Sequence, residues 1–207
     1  MSDSNSTGLR RLPRQQRSRQ TVQRIYDATV VLLRKRPVGD LNTNLIAKTA
    51  GVDISSLYRF FPDKEAVVCG LAEEWLAEIR TVYDRYESDP KLLRLGWREY
   101  FSGLLADWRL PHQDEKYAAL AGLWNVYPRL TALDARQLER HVTFFVRQFR
   151  RFGARGTARQ WRDLAVYLYL VEDTVHEAAG LDISHRGKAV RDLFYETFFF
   201  HVGQFLD

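Results

Sequence analysis

Residues 41–64 read LNTNLIAKTAGVDISSLYRFFPDK, two short amphipathic segments separated by a glycine. Asn42 can cap a first helix, and Gly51 can end it in the left-handed conformation that glycine adopts readily. Asp53 can cap a second helix over about residues 54–60. The pattern therefore predicts two short helices joined by a tight turn.

The two segments have distinct inner and outer faces. The inward contacts are predicted to come from Ile46, Ala47, Ala50, Val52, Leu57 and Phe61. The outward face of the second helix is predicted to consist of Ser55, Ser56, Tyr58, Arg59 and Phe60. This is the pattern of a helix-turn-helix, whose second helix can enter a DNA major groove about 12 Å wide. A tight helical hairpin in a core is the alternative, and it explains the small residues but not the outward polar face.

Charge is distributed unevenly along the chain. The 207 residues have a net charge of +5, yet residues 1–64 contain 12 of the 31 basic and only 5 of the 26 acidic residues. The first third is therefore +7 and the remainder −2. This asymmetry indicates a polyanion-binding segment joined to a near-neutral body. A basic tail on an unrelated domain is the alternative.

Helical periodicity continues outside this segment. Further helices are predicted over about residues 14–36, 64–86, 90–108, 111–125, 130–152, 157–179 and 184–205. Pro90 is the predicted first helical position after an Asp89 cap, and Gly180 the predicted end of its helix. About nine helices and no convincing strand predict an all-α protein. Its predicted parts are a flexible polar and basic arm over residues 1–13, a three-helix head over residues 14–64 and a larger helical body over residues 65–207.

The run from Ile46 to Ala66 resembles the DNA-binding signature of TetR-type transcriptional regulators, and the resemblance extends over about residues 15–67. Its matching residues are Ile46-Ala47-Lys48, Ala50-Gly51-Val52 and Leu57-Tyr58-Arg59-Phe60-Phe61-Pro62-Asp63-Lys64-Glu65-Ala66. The resemblance implies a three-helix DNA-binding head on a body that binds a small molecule and dimerises. The implied function is that of a homodimeric repressor, which an effector releases from a palindromic operator.

The resemblance also implies roles for single residues. Tyr58 matches a tyrosine that usually contacts phosphate, and Lys64 matches a lysine with the same role at the start of the fourth helix. Asn42 and Thr43 stand where the second helix starts, so their side chains and free N–H groups can hold phosphate. The candidates for contact with base edges are Ser55, Ser56, Arg59 and Phe60.

Three positions depart from the usual family pattern. Asp53, Ser55 and Phe60 replace serine, glycine, and histidine or tyrosine, respectively. The charge of Asp53 disfavours a nearby phosphate, whereas Phe60 could meet a thymine methyl group. These departures bear on the operator sequence rather than on DNA binding itself.

The basic arm is a further candidate contact, on phosphate or in the minor groove. A solvated basic tail is the alternative. The arginines concerned are Arg10, Arg11, Arg14, Arg17 and Arg19.

The body is rich in aromatic residues. Residues 65–207 contain 23 of the 27 aromatic residues, including all five tryptophans. The resemblance implies a small-molecule pocket among the middle helices, and large aromatic side chains suit flat or apolar ligands. A plain core position is the alternative for each candidate. The candidates are Trp75, Trp97, Tyr100, Phe101, Leu104, Trp108, Leu123, Trp124, Phe145 and Tyr169.

Two polar residues complete the ligand-binding candidates. Glu172 lies at the centre of an apolar helical stripe, and His176 follows one turn later. A carboxylate on an apolar face must be paired or protonated. Glu172 could anchor an amine or hydroxyl of a ligand, or it could meet Arg147 or Arg150 across a helix interface.

The last two helices are predicted to form a dimer interface. Residues 164–171 are apolar on nearly every face, which predicts that this helix is covered on both sides. The final helix carries apolar residues on one predicted side, from Val190 to Phe205, with Phe199 and Phe200 beyond it. Such excess apolar surface predicts an isologous four-helix interface and hence a near-palindromic operator.

The sequence contains no recognisable enzyme signature. It has no phosphate-binding loop, dinucleotide fingerprint or nucleophile elbow, and its five histidines form no H-x-x-x-H pair. Its one cysteine, Cys69, excludes a disulfide framework and a multi-cysteine zinc site. The sequence therefore predicts no catalysis, no cofactor and no metal.

The remaining expectations concern location and partners. No signal peptide is apparent, and the apolar runs are shorter than the roughly 18–20 residues that a membrane span needs. A cytoplasmic location is therefore predicted. The predicted partners are double-stranded DNA, a small-molecule effector and a second copy of the chain. The alternatives are a helical DNA-binding or interaction protein without a ligand response, and an enzyme that uses the body cavity.

Overall fold

The structure, a computed structural model, describes residues 9–10, 13, 15–112, 115–181 and 185–207, without the side chains of 109–112, 173, 176–181 and 185–187. Over these ranges the chain forms nine α-helices and no strand, so the predicted all-α class is confirmed. The helices are α1 Gln16–Leu33, α2 Thr43–Ala50, α3 Ile54–Phe60, α4 Lys64–Ser88, α5 Trp97–His112, α6 Glu115–Leu120, α7 Pro128–Arg151, α8 Ala158–Leu181 and α9 His185–Leu206. Short 3-10 helices occur at Val38–Asp40 and Leu92–Arg94.

The helices pack into two compact units. The first unit contains the described residues up to Ala77 together with residues 115–133. The second unit contains residues 78–112 and 134–207. Their boundaries fall inside α4 and α7. This division by packing differs from the functional boundary at residue 64, which stays a prediction.

Helix α1 is the centre of the first unit, where it packs on α2, α3 and α6. Its inner side chains include Ile25 and Tyr26, and the Tyr26 ring lies 5.6 Å from that of Phe61. A Cβ atom at Gly70 would lie 2.4 Å from the Tyr26 hydroxyl oxygen, so the absence of a side chain at residue 70 of α4 leaves room for the Tyr26 ring of α1. The Tyr26 side chain and Gly70 therefore pack closely inside the first unit.

The only cysteine is part of this contact region. Cys69 is buried in α4, directly before Gly70. Burial, and next the charge of Glu65, raise the pKa of its thiol to about 12. The side chain therefore acts as a small apolar core residue.

The second unit has a core of aromatic rings. Phe101 of α5 stacks on Phe145 of α7 at 5.6 Å and contacts Phe198 of α9 at the same distance. Helix α9 also packs along α8. Aromatic residues thus join three helices of this unit in one cluster.

The prediction of a long helix that starts at Pro90 is wrong. The carboxylate of Asp89 accepts a hydrogen bond from the Lys91 N–H at 2.8 Å and caps only a single turn. Leu95 then takes an extended conformation, and α5 begins at Trp97. A capping pair at this position therefore starts a 3-10 helix rather than a long α-helix.

Two further helix boundaries need correction. The helix predicted over residues 111–125 does not form as one piece, because α5 continues to His112 and α6 ends before Gly122, whose φ is 73°. Gly180 does not end its helix, since α8 continues to Leu181. Glycine costs stability inside a helix but is tolerated there.

Candidate functional site

The predicted helix-turn-helix is built from the capping residues that the sequence indicates. The side-chain oxygen of Asn42 accepts a hydrogen bond from the Leu45 N–H at 2.9 Å, and α2 begins directly after it. Gly51 follows α2 with a φ of 60°. Asp53 accepts from the Ser55 N–H at 2.8 Å and starts α3. The local geometry therefore agrees with the predicted pair of helices and their turn.

An arginine of α1 holds the turn in place. The Arg24 guanidinium donates to the carbonyl oxygen of Gly51 at 2.7 Å. The last carbonyl groups of a helix lack partners within the helix, so this contact satisfies one of them at the end of α2. The turn is thus fixed both by its own glycine and by the neighbouring helix.

Two of the predicted phosphate contacts meet at the N-terminus of α2. The hydroxyl oxygens of Thr43 and Tyr58 are 2.9 Å apart and form a hydrogen bond. Tyr58 is 43% exposed and Asn42 is also exposed. A helix N-terminus offers N–H groups and positive partial charge. The arrangement can hold a phosphate oxygen between the hydroxyl groups and the end of the helix.

Lys64, the other predicted phosphate contact, is the first residue of α4 and is half-buried. Asp63 directly precedes it and accepts a hydrogen bond from the Ala66 N–H at 2.7 Å. This cap fixes where α4 starts and therefore where the lysine leaves the backbone.

The outward face of α3 is smaller than the sequence predicts. Ser55 and Arg59 are exposed and Ser56 is half-buried. Phe60, by contrast, is only 2% exposed, so the prediction that it faces outward is wrong. It lies three residues after the buried Leu57, on the same side of the helix. A ring in this position does not reach a thymine methyl group.

Asp53 keeps its negative charge at neutral pH. Hydrogen bonds from the side chain and then the backbone of Ser55 lower the pKa of its carboxyl group, and slight desolvation opposes them. The charge that disfavours a nearby phosphate is therefore present under ordinary conditions.

Part of the basic arm is attached to the end of α3. The backbone N–H of Arg10 donates to the Phe60 carbonyl oxygen at 2.7 Å. Arg17 and Arg19 are exposed at the start of α1. The arginines at positions 11 and 14 lie outside the described residues.

The ligand-binding candidates belong to two different units. Trp75, Leu123 and Trp124 are in the first unit, where the Trp75 ring lies 5.3 Å from Tyr117 and 5.8 Å from Trp124. Trp75 is buried, whereas Leu123 and Trp124 are half-buried. Trp75 and Trp124 form an aromatic cluster with Tyr117.

The other described candidates lie in the second unit. The buried ones are Tyr100, Phe101, Leu104, Trp108, Phe145 and Glu172. Trp97 and Tyr169 are half-buried, and the Tyr169 hydroxyl donates to Asp134 at 2.6 Å.

Sequence reasoning missed three polar residues in this interior. Tyr83 of α4 and Gln137 and His141 of α7 are buried, and the Tyr83 hydroxyl lies 3.1 Å from Nδ1 of His141. The available signal was on α7, where Gln137 and His141 interrupt the apolar stripe that Leu138, Val142 and Phe145 define. A polar residue that interrupts an apolar stripe at helical spacing is predicted to be buried, and a buried polar side chain is a candidate functional residue because it needs a hydrogen-bond partner.

Glu172 of α8 lies close to this polar group. Burial and then the charge of Glu172 raise the pKa of the Tyr83 hydroxyl well above its usual value. Arg147, one of the two arginines predicted to pair with Glu172, contacts Glu87 at 3.2 Å instead. The side chain of His176 lies outside the described part of the chain.

The apolar residues of α9 divide between two faces. Phe194, Phe198 and Val202 are buried. Val190 and Leu193, from the predicted apolar side, are 37% and 61% exposed, and Phe200, predicted to lie beyond that side, is 64% exposed. The exposed face of α9 has a counterpart on α8, where Tyr167 and Leu170 are also exposed.

Two negative findings apply to the described residues. They contain no group of three or more His, Cys, Asp or Glu side chains that could hold a metal ion. Within the same ranges, every helix is too short or too polar to cross a membrane.

Comparison with known proteins agrees with this geometry. Residues 25–69 match the family model of bacterial regulatory proteins, tetR family. The fold is similar to that of a TetR-family transcriptional regulator from Streptomyces coelicolor, with 22% identity and a TM-score of 0.60 over 92% of this chain and 99% of that chain. A putative transcriptional regulator from Pseudomonas aeruginosa PAO1 is also similar, with 15% identity and a TM-score of 0.67 over 89% and 92% of the two chains. No match was found among curated proteins.

Proposed function

We propose that the chain is a TetR-type transcriptional regulator, and specifically a homodimeric repressor that a small-molecule effector releases from a palindromic operator. The observation that carries the proposal is the pair of hydroxyl groups of Thr43 and Tyr58 at the N-terminus of α2. We assign DNA binding to residues 14–64, and effector binding and dimerisation to residues 65–207. We also propose a cytoplasmic location, where the protein meets DNA.

The proposed DNA surface has two kinds of contact. Phosphate groups are held by Asn42, Thr43, Tyr58 and Lys64. Base edges are contacted by Ser55, Ser56 and Arg59. Phe60 is left out because it is buried. The phosphate contacts supply affinity, and the base contacts supply sequence preference.

A matched pair of threonine variants tests the phosphate contacts. Thr43→Ala removes the hydroxyl that contacts Tyr58, whereas Thr49→Ala removes one from an exposed position near the other end of α2. We expect only Thr43→Ala, Tyr58→Phe and Lys64→Ala to weaken binding to all duplexes alike, and Lys64→Ala to reduce the salt slope by about one. Binding is measured by fluorescence anisotropy over a salt series.

A change at a base contact has a different signature. Ser56→Ala should alter the preferred duplex in a selection from random DNA and leave the salt slope unchanged. If Lys64→Ala changed the preferred sequence instead, its role as a phosphate contact would be wrong.

The exposed apolar face of the second unit supports the dimer. Tyr167 and Leu170 of α8 and Leu193 and Phe200 of α9 would form an unusually apolar surface on a monomer. Helices α8 and α9 pack together, so a two-fold axis beside them gives a four-helix interface. Two heads then meet two half-sites of the operator.

Analytical ultracentrifugation tests this interface. Leu193→Glu should convert the dimer to a monomer at micromolar concentration, because it places a charge in an apolar contact. Leu93→Glu is the control, since Leu93 is also exposed, at 37%, but lies in the 3-10 helix before α5. A wild-type chain that sediments as a monomer would remove the dimer from the proposal.

Effector release requires that the ligand prefer one of two conformations. A ligand can shift the equilibrium only by its difference in affinity for the DNA-bound and DNA-free forms. Ligand-dependent loss of operator binding would therefore distinguish a regulated repressor from a DNA-binding protein without a ligand response.

A further inference from the structure

Lys64, the proposed phosphate contact at the start of α4, stands between two acidic residues. Asp63 precedes it and Glu65 follows it, so the three residues together have a formal charge of −1. Carboxylates this close to a lysine compete with a phosphate group for its ammonium group and repel the phosphate itself. The sequence around Lys64 is therefore poorly suited to DNA unless something controls the two carboxylates.

An arginine of α7 contacts both carboxylates. Arg129 is the second residue of α7 and belongs to the first unit, as residues 63–65 do. Its Nη1 atom lies 3.5 Å from Oδ1 of Asp63, and its Nε atom lies 4.0 Å from Oε1 of Glu65. Its backbone N–H also donates to Oε1 of Glu65 at 3.3 Å. One residue thus holds both neighbours of Lys64.

Lys64 itself has no ion pair with any residue that the structure describes. It is half-buried, so its side chain is partly accessible from outside. The two carboxylates that could pair with it are directed to Arg129 instead. The ammonium group therefore remains available for a phosphate.

Stability gives little reason for an arginine at position 129. The side chains of Arg129 and Asp63 are 50% and 45% exposed, and ion pairs at such exposure contribute little to folding. A positive side chain is also disfavoured in the first turn of a helix, where the backbone already carries positive partial charge. The backbone contact with Glu65 needs no particular side chain at this position. The guanidinium group therefore calls for a reason outside the fold.

Arg147 provides a comparison within the same helix. Its Nη1 atom lies 3.2 Å from Oε1 of Glu87, and its side chain is 64% exposed. It thus forms a similar exposed ion pair, but Glu87 is not next to any residue of the proposed DNA surface. The two arginines of α7 differ in what their carboxylate partners adjoin.

We propose that Arg129 is a positioning residue for DNA binding: it holds Asp63 and Glu65 away from the Lys64 ammonium group, so that this group can contact a phosphate of the operator. Arg129 does not contact the DNA in this arrangement. The inference rests on the proposed function, because Lys64 is a phosphate contact only if the chain binds DNA.

Fluorescence anisotropy of the full-length protein tests this role, with the duplex that the wild type selects from random DNA, at physiological ionic strength. Arg129→Met removes the charge and should weaken binding about tenfold, because the freed carboxylates then oppose the phosphate. Arg129→Lys keeps a positive charge and should bind within about threefold of the wild type. Arg147→Met is the matched control and should leave binding unchanged.

A variant without the two carboxylates provides the decisive background. In Asp63→Asn/Glu65→Gln, asparagine can still cap α4 and glutamine keeps an oxygen for the Arg129 N–H. This variant should bind at least as tightly as the wild type. Adding Arg129→Met to it should cost less than about threefold, because no carboxylate is left for the arginine to hold. Every variant should keep its Tm within about 3 °C of the wild-type value.

Three results would overturn the inference. Equal binding by the wild type and Arg129→Met would mean that the arginine has no role. A tenfold loss in both backgrounds would mean that Arg129 contacts the phosphate directly. Weaker binding by Asp63→Asn/Glu65→Gln, or a clear fall in the Tm of Arg129→Met, would mean that the ion pairs only maintain the fold.

Failure of the proposed function has a different signature. A wild-type protein that selects and binds no duplex would refute both the DNA-binding regulator and the role of Arg129. Any of the three results above, obtained with a wild type that binds DNA, would refute the role of Arg129 alone.

Discussion

The helix-capping residues of the helix-turn-helix find partners close by in sequence, whereas polar groups buried inside the second unit find them across helices. Asn42 and Asp53 each cap a helix within three residues. Tyr83 and His141 are separated by 58 residues. Pairing between residues close in sequence fixes the turn, and the remaining side chains stay exposed, where they can contact a large polar partner. Pairing across helices instead places polar atoms in a dry interior, where an unsatisfied one is costly.

The largest expected effect tests whether both regions depend equally on a packed apolar core for their stability. Phe60→Ala should lower the free energy of unfolding by about 3–5 kcal/mol, as should Phe145→Ala in the second unit, because each leaves a cavity. Urea denaturation measures both. Tyr58→Ala, at an exposed position two residues away, is the control and should cost far less. If the Phe60→Ala variant had normal stability but an altered DNA preference, Phe60 would have to face outward and its burial would be wrong.

The next effect is specific to the interior of the second unit. Burial holds the pKa of His141 at about 3, against 6.5 for an ordinary histidine, so the unfolded state binds a proton that the folded state does not. Stability is therefore complete above about pH 6.5 and is lost as the pH falls toward 3. Between pH 7.5 and pH 5 the loss should be about 2 kcal/mol.

His141→Gln provides the control for this acid sensitivity. Unfolding free energies from urea titrations at the two pH values should differ less for the variant than for the wild type, by about 2 kcal/mol. Equal pH dependence in both proteins would mean that His141 is not kept neutral by burial.

The smallest effect belongs to the helix-turn-helix and its local caps. Asn42→Ala should lower the free energy of unfolding by about 1 kcal/mol, because it removes the cap of α2. Asn44→Ala, two residues later at an exposed position, should change it by less than about 0.5 kcal/mol. Chemical denaturation of both variants at pH 7.5 makes the comparison, and equal losses would show that the cap contributes nothing.

The same contrast explains what could be predicted from the sequence. The turn at Gly51 and the starts of α2 and α3 depend on residues within three positions of each other, so they were predictable. Phe60 was misplaced because two faces of a seven-residue helix differ by one position, and only packing against the rest of the unit selects between them. The prediction of a long helix from Pro90 is wrong for a related reason, because a capping residue shows where a turn begins but not how many turns follow.

For the interior of the second unit, only the aromatic composition could be predicted from the sequence. Its aromatic residues are visible in the sequence, but the pairing of Tyr83 with Gln137 and His141 depends on how α4 lies against α7. Glu172 stood out because a carboxylate breaks an apolar stripe strongly. A glutamine and a histidine break it less, so the sequence alone does not single them out.

The burial of Cys69 makes the natural chain suitable for distance spectroscopy. Its thiol is the only one in the sequence and has a pKa raised to about 12, so thiol-directed labels should leave the wild type untouched at neutral pH. A cysteine introduced at the exposed Ser55 would then carry a spin label at one position per recognition helix. In a dimer, the two labels would report the separation of the recognition helices with and without DNA, and no natural residue would need to be removed first.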